Sequence, residues 1–204
     1  MSVTYCRRAS IIAKENNLIT ETDSVGGNMP QKMMNRSVFV TVGTTSFDRL
    51  IETFNDIEFQ RVLLNFGYHC VVFQIGKGAV RPTSHCDQLS FEYFTFKSSL
   101  QEDLERCDLV ISHAGAGTCL EVCRASKRLV VVVNDLLMHN HQSELAEKLS
   151  QLGHCLYSTC PDLLSLFRKH ESILCSGIGF QEAFTQFDTD YYFNVAKSVE
   201  AMFV

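Results

Sequence analysis

Apolar residues along the chain keep switching between two periods. In "SVFVTVG" (37–43), Val38, Phe39, Val40 and Val42 form a β-branched and aromatic run that stops at Gly43. This predicts a buried strand leading into a loop. Phe47, Leu50, Ile51 and Phe54 then recur at helical spacing, and Phe59, Val62, Leu63 and Phe66 repeat that spacing up to a stop at Gly67. "HCVVFQIGKG" (69–78) predicts a second buried strand running into a glycine loop, and the alternation of Phe91, Tyr93 and Thr95 predicts a third over 89–96. A short helix is expected over 98–107, with Ser98 or Ser99 as its cap and acidic residues in its first turns.

The same alternation continues. "DLVISHAG" (108–115) predicts a strand and "GTCLEVCRAS" (117–126) a helix, and "RLVVVVND" (128–135) is a fully apolar strand. Leu145, Leu149 and Leu152 mark an amphipathic helix that stops at Gly153. "HCLYS" (154–158) and "PDLLSLFRKH" (161–170) form one more strand–helix unit, with Pro161 at the helix start. Strands this apolar, alternating with helices, predict an α/β fold: a single Rossmann-like, doubly wound parallel sheet covered on both faces. Such sheets bind ligands at the carboxyl ends of their strands, where the glycine loops at 43 and at 115–117 lie. Residues 1–36 are polar, contain glycine and keep no period, so they are expected to form a disordered N-terminal extension, with 37–170 as the domain. The segment 171–204 carries Phe180, Phe184, Phe187, Tyr191, Tyr192 and Phe193 and is expected either to form a helix that docks on a partner or to fold back on the sheet.

Composition narrows the function. The 204 residues suit one domain, and the net charge of −5, with no basic stripe, argues against nucleic acid as a partner. Nine cysteines, an odd number with no C-x-x-C pair, fit free thiols in a reducing compartment, and cytoplasmic localisation is expected. Cys119 and Cys123 lie four apart on a predicted helix, but no further ligands stand at metal-like spacing, so buried thiols are expected and no metal. The N-terminus lacks the apolar stretch of a signal peptide. "LVVVV" (129–133) is the longest aliphatic run and falls far short of the about 20 apolar residues of a spanning helix, so no membrane span is expected.

The candidate chemistry sits in "SHAGAGTCLE" (112–121). Gly115 and Gly117 permit close backbone approach where a helix begins, and the unpaired N–H groups and dipole of a helix N-terminus suit phosphate. Thr118 adds a hydroxyl, His113 is placed to steady a diphosphate, and Glu121, one turn on, is placed to accept from ribose hydroxyls. The alternative is a tight strand–helix turn with Glu121 simply solvated. A second opening, at Asn140, His141 and Gln142, offers amides that both donate and accept, as hydroxyl-rich ligands require, and its alternative is a plain helix cap. A P-loop is excluded by the absence of G-x-x-x-x-G-K-[ST], and "GAG" lacks the third glycine of a dinucleotide fingerprint, which removes an NAD-dependent oxidoreductase. "GKG" (76–78) reads as a short glycine loop with Lys77 solvated.

"HAGAGTCLE" resembles the His-x-Gly-x-x-[Ser/Thr]-x-x-Glu signature of nucleotide-sugar glycosyltransferases with the two-domain GT-B fold. With "VTVGTTSFDRL" and "VVVNDLLMHNHQSELAEKL", over roughly 38–158, the chain is similar to the catalytic subunits of the UDP-GlcNAc transferase that adds the second GlcNAc to dolichyl-diphosphate-GlcNAc, and more distantly to the donor half of MurG. The resemblance implies the C-terminal, donor half of a GT-B enzyme that uses UDP-GlcNAc by inversion and needs no cofactor. It places Gly43, Thr44 and Thr45 beside the donor phosphates, His113, Gly115, Gly117 and Thr118 at the diphosphate, Glu121 at the ribose, and Asn140, His141 and Gln142 at the sugar, with backbone near Phe96 facing uracil. It assigns no catalytic base; His113 is a candidate, and the partner chain is the other source. It also implies a membrane-anchored, acceptor-binding partner at the cytosolic face of the endoplasmic reticulum. One departure is the missing proline at Arg128 or Leu129. A non-enzymatic nucleotide-sugar sensor or scaffold is the alternative from another class.

Overall fold

The structure, a computed structural model, describes residues 36–136 and 141–175, and of His141 the backbone alone. Six strands form one sheet in the order β3-β2-β1-β4-β5-β6, and every pair is parallel. They are β1 (Arg36–Thr41), β2 (Tyr68–Gln74), β3 (Ser90–Phe94), β4 (Leu109–His113), β5 (Arg128–Val133) and β6 (Leu156–Thr159). The helices are α1 (Asp48–Asn55), α2 (Ile57–Asn65), α3 (Gln101–Arg106), α4 (Ala116–Arg124), α5 (His141–Gln151), α6 (Leu163–Lys169) and α7 (Glu171–Cys175). The predicted doubly wound parallel sheet is the one that forms. β1 begins at Arg36, one residue inside the span read as an extension, and residues 1–35 and 176–204 lie outside the described residues.

The central strands are apolar on both sides because helices cover both faces, and side chains alternate between the two cores. Val38, Val40, Leu109, Ile111, Val130 and Val132 pack with α1, α2, α6 and α7. Phe39, Val110, Leu129, Val131 and Val133 point the other way, with Leu104 of α3, Cys119 and Val122 of α4, and Leu145 and Leu149 of α5. Each such buried side chain contributes about 1.5–3 kcal/mol. Cys119, Cys123 and Cys155 share that second core as small apolar groups, and burial pushes the thiols of Cys119 and Cys123 up to about 12.

Several local readings are corrected. Asp56 divides the early helical stretch in two: its carboxylate accepts from the N–H groups of Glu58 (2.8 Å) and Phe59 (3.0 Å) and caps α2. Neither Ser98 nor Ser99 caps α3; Leu100 holds that position, and Ser99 Oγ only accepts from Gln101 N at 3.3 Å. Asp162 is the N-cap residue of α6, so Pro161 stands just outside the helix. β3 does not alternate cleanly, because it is an edge strand: Phe91 and Phe94 are half-buried, while Tyr93 is 50% exposed.

At the amino end of the sheet, two buried arginines hold α7, which continues the domain past residue 170. Arg36 donates to the carbonyls of Leu174 (2.9 Å) and Cys175 and to Tyr68 Oη (2.9 Å), and Arg128 donates to Leu174 O at 3.1 Å. Tyr68 Oη donates to the same carbonyl at 2.8 Å, and burial raises its pKa to about 12, so the hydroxyl keeps its proton. Cations suit the carbonyls left unpaired at a helix C-terminus. The chain therefore leaves residue 175 at the end of the sheet opposite to the carboxyl ends of its strands.

Candidate functional site

The strand order fixes where a ligand can sit. From β1 the chain winds outward through β2 and β3, then crosses back to β4 on the other side of β1. The loops leaving the carboxyl ends of β1 and β4 diverge there and open the crevice used by sheets of this kind. Thr41 at the end of β1 stands in register with Ser112 near the end of β4. The two glycine loops singled out in the sequence thus become neighbours.

His113 lies between them. A Cβ on Gly43 would come 2.8 Å from His113 Cε1, and one on Gly115 would come 2.4 Å from its Nε2. Gly43 also has φ +63°, which favours glycine. The imidazole thus lies against two backbones, with Nδ1 buried and, among the described residues, without a well-formed hydrogen bond. Burial holds the His113 pKa below its ordinary 6.5, with the backbone of Thr41 offsetting this in part, so the ring is neutral at pH 7. The unfolded chain therefore takes up a proton that the folded chain refuses. Stability is complete above about pH 6.5 and falls as pH drops from there towards the lower folded pKa. Proton NMR of the imidazole should show it still neutral at pH 6.5, where a free histidine is half charged; half-titration at or above 6.5 would refute the assignment.

The N-terminus of α4 opens beside this ring. Gly115 is its N-cap residue, and no side chain caps the helix. Its first-turn N–H groups thus face the crevice without a side-chain acceptor. Gly117 is exposed, and a Cβ there would meet nothing within 4 Å. Thr118 is half-buried. Gly117, Glu121 and Arg124 form the exposed stripe of α4, opposite buried Cys119, Val122 and Cys123, so Glu121 stands one turn from Gly117 on the same face. Thr44 and Thr45 are exposed on the β1 loop, where Thr45 Oγ1 donates to Val42 O at 2.8 Å. Gln142 is half-buried in the first turn of α5, which His141 opens, while Asn140 and His139 lie outside the described residues. Phe96, just past β3, is 64% exposed.

The sequence reading missed several supports of this site. Thr41 Oγ1 donates to Gln74 Oε1 at 2.6 Å and accepts from Gly43 N at 3.0 Å, which ties the end of β1 to that of β2. Arg49 of α1 pairs with Asp135, beyond β5, at 2.8 Å. The turn at 76–78 is packed directly on the β1 loop: Lys77 N donates to Thr45 O at 2.9 Å. Apart from the Thr41–Gly43 contact, none of these pairs has a local signature, because the partners lie more than thirty residues apart.

An apolar parallel sheet, a topological switch with two glycine loops, and an uncapped helix N-terminus one turn from a carboxylate define a Rossmann-like domain of the type found as the C-terminal half of GT-B glycosyltransferases. The chain belongs to the family described as "Glycosyltransferase family 28 C-terminal domain", whose model matches residues 37–168. Its relatives include the UDP-N-acetylglucosamine transferase subunit ALG13 of Mus musculus, 48% identical over 126 residues, covering 61% of this chain and 11% of that protein. The subunit of that name from Kluyveromyces lactis is 35% identical over 150 residues, covering 58% of this chain and 76% of that protein. The chain thus spans about a tenth of the mouse relative's length and most of the yeast one's. Among solved structures, the solution structure of ALG13 superposes with a TM-score of 0.61 at 23% identity, covering 82% of this chain and 96% of that one. Acinetobacter baumannii MurG superposes with a TM-score of 0.57 at 16% identity, covering 81% of this chain and 48% of that one. These two likenesses establish the fold.

Proposed function

We infer that this chain is the donor-binding half of an N-acetylglucosaminyltransferase. UDP-GlcNAc binds across the switch-point crevice, with its diphosphate on the N-terminus of α4 at Gly115, Gly117 and Thr118, its ribose on Glu121 and its sugar towards Asn140, His141 and Gln142. The loop Gly43–Thr45 closes the phosphate side. One observation carries the reading: α4 opens uncapped, with free space over Gly117 and Glu121 one turn behind it on the exposed face. The names of the relatives supply the sugar and the nucleotide.

The reaction is an inverting displacement. The 4-hydroxyl of the terminal GlcNAc on a dolichyl-diphosphate acceptor attacks the anomeric carbon of the donor. The bond from that carbon to the β-phosphate oxygen breaks, UDP leaves, and the hydroxyl proton passes to a base that the partner chain supplies. Negative charge develops on the diphosphate, where the N–H groups and dipole of α4 are already aimed. The donor carries its own leaving group, so no cofactor enters the balance. The acceptor is held by a membrane-anchored subunit at the cytosolic face of the endoplasmic reticulum, and this chain is recruited to it from the cytoplasm. In the described residues, no helix is long and apolar enough to cross a membrane.

The test uses membranes depleted of their own donor-binding subunit. Adding this chain with labelled UDP-GlcNAc and a dolichyl-diphosphate-GlcNAc analogue should yield the chitobiosyl product. The chain alone should bind UDP but turn over little. Vigorous transfer without the membranes would remove the partner-supplied base, and absence of UDP binding would remove the whole reading.

A further inference from the structure

The turn Gly76–Lys77–Gly78 is built with more care than a solvated loop requires. Gly76 has φ +55°, and a Cβ there would lie 2.1 Å from Thr45 O and 2.8 Å from Gly43 O. A Cβ on Gly78 would lie 2.4 Å from Asp48 Oδ1. Gly76 is therefore required by backbone contact, Gly78 leaves room for the Asp48 carboxylate, and the lysine is carried between them. Lys77 N donates to Thr45 O (2.9 Å) and Gly78 N to Ile75 O (2.9 Å). The Asp48 carboxylate, in the first turn of α1, accepts from Ala79 N at 3.2 Å and Val80 N at 3.3 Å. Farther along, Gln60 Nε2 donates to Thr83 O at 2.8 Å and Asn55 Oδ1 accepts from Thr83 N at 2.8 Å. The whole β2–β3 connection is thereby fastened to α1 and α2, and its tip is pressed against the β1 phosphate loop.

The charges at this end of the sheet single out the residue at the tip. Arg49 is paired with Asp135, and Lys97 with Asp103 at 2.7 Å. Arg81 turns back on its own loop, donating to Gly78 O (2.9 Å) and Ala79 O (3.2 Å), and lies over the Tyr93 ring. Lys77 is exposed, with its backbone fixed by those contacts and a flexible four-carbon stem free to reach. The proposed reaction brings two diphosphates into this crevice, one on the donor and one on the acceptor. A helix N-terminus alone offers only about half a positive charge.

We propose that Lys77 is a substrate-binding residue, whose ammonium takes a diphosphate oxygen beside the loop Gly43–Thr45. The inference rests on the donor-half reading above. It names one chemistry, a diphosphate, with two sources, the sugar nucleotide and the lipid-linked acceptor. Lys77→Ala and Lys77→Arg are made in the full chain. Affinity for UDP-GlcNAc is measured by calorimetry, and the KM for the lipid acceptor in the membrane-reconstituted assay. A tenfold weaker donor affinity for Lys77→Ala, about what one charged hydrogen bond supplies, assigns the donor's diphosphate. An unchanged donor affinity with about a tenfold higher acceptor KM assigns the acceptor's diphosphate. In either case Lys77→Arg retains most of the wild-type binding, because it keeps the charge. If both quantities in Lys77→Ala match the wild type, the proposal is overturned while the donor-half reading stands. If wild type itself binds no UDP-GlcNAc, the reading falls and this inference with it.

Discussion

Glu121→Ala is expected to weaken UDP binding by about a hundredfold and to reduce transfer at least as much, with the fold intact. The carboxylate lies on the exposed stripe of α4, one turn behind Gly117, while the buried stripe holds Cys119, Val122 and Cys123. Truncating an exposed helical side chain shifts stability by no more than about 0.5 kcal/mol. Two hydrogen bonds from ribose hydroxyls to a charged acceptor are worth ~1.5–3 kcal/mol each, less what solvent returns, so about 3 kcal/mol or a hundredfold is the expected net. Glu121→Gln keeps one acceptor oxygen and should fall between the two. Calorimetry with UDP and a urea denaturation curve on the same preparations separate binding from folding. An unchanged UDP affinity in Glu121→Ala would leave this residue a solvated helix position and move the ribose elsewhere.

The fold was more legible in the sequence than the site, and the reason is range. β1, β4 and β5 announce themselves because a strand buried on both faces must be apolar through its middle, as "LVVVV" (129–133) is. β3 forms where its alternation predicts a strand, but the alternation does not set its burial, because an edge strand need satisfy neither face. The break at Asp56 was hidden because helical spacing runs through it, and only its carboxylate reveals the second start. The place of α7 had no local signal: its five residues are held by Arg36 and Tyr68, more than a hundred positions away. At the site, residue types at fixed spacing marked the α4 loop correctly as backbone near a helix start. They could not show that Gly43 and Gly115 also make room for the same imidazole, since that depends on β1 and β4 lying side by side. "GKG" read as an ordinary loop for the same reason: what it packs against is Thr45 and Asp48, thirty residues away in sequence.

The two glycines of "GAG" should therefore respond to alanine in opposite ways. Gly115 has φ −88° and ψ 119°, which any residue can adopt, so its constraint is space alone. Its Cβ would lie 2.4 Å from His113 Nε2 and 2.6 Å from Cε1, and Gly43 also lies against Cε1, where a Cβ would stand 2.8 Å away. Gly115→Ala is expected to destabilise by about 1–3 kcal/mol, the ordinary cost of overpacking, and to lose donor binding as the loop shifts. Adding His113→Ala should recover part of that stability, so the two losses combine to less than their sum by about 0.5–3 kcal/mol. Gly117 meets nothing within 4 Å and sits in the first turn of a helix, so Gly117→Ala should stabilise the fold by up to about 1 kcal/mol. Donor affinity should nevertheless fall, because the methyl group occupies the space in which the proposed donor site puts the diphosphate. Urea denaturation and UDP calorimetry on the four variants, including His113→Ala alone, decide the matter. Strict additivity between Gly115→Ala and His113→Ala would show that the imidazole is not what Gly115 makes room for. A Gly117→Ala variant that binds UDP as the wild type does would mean that the phosphate does not approach α4 there.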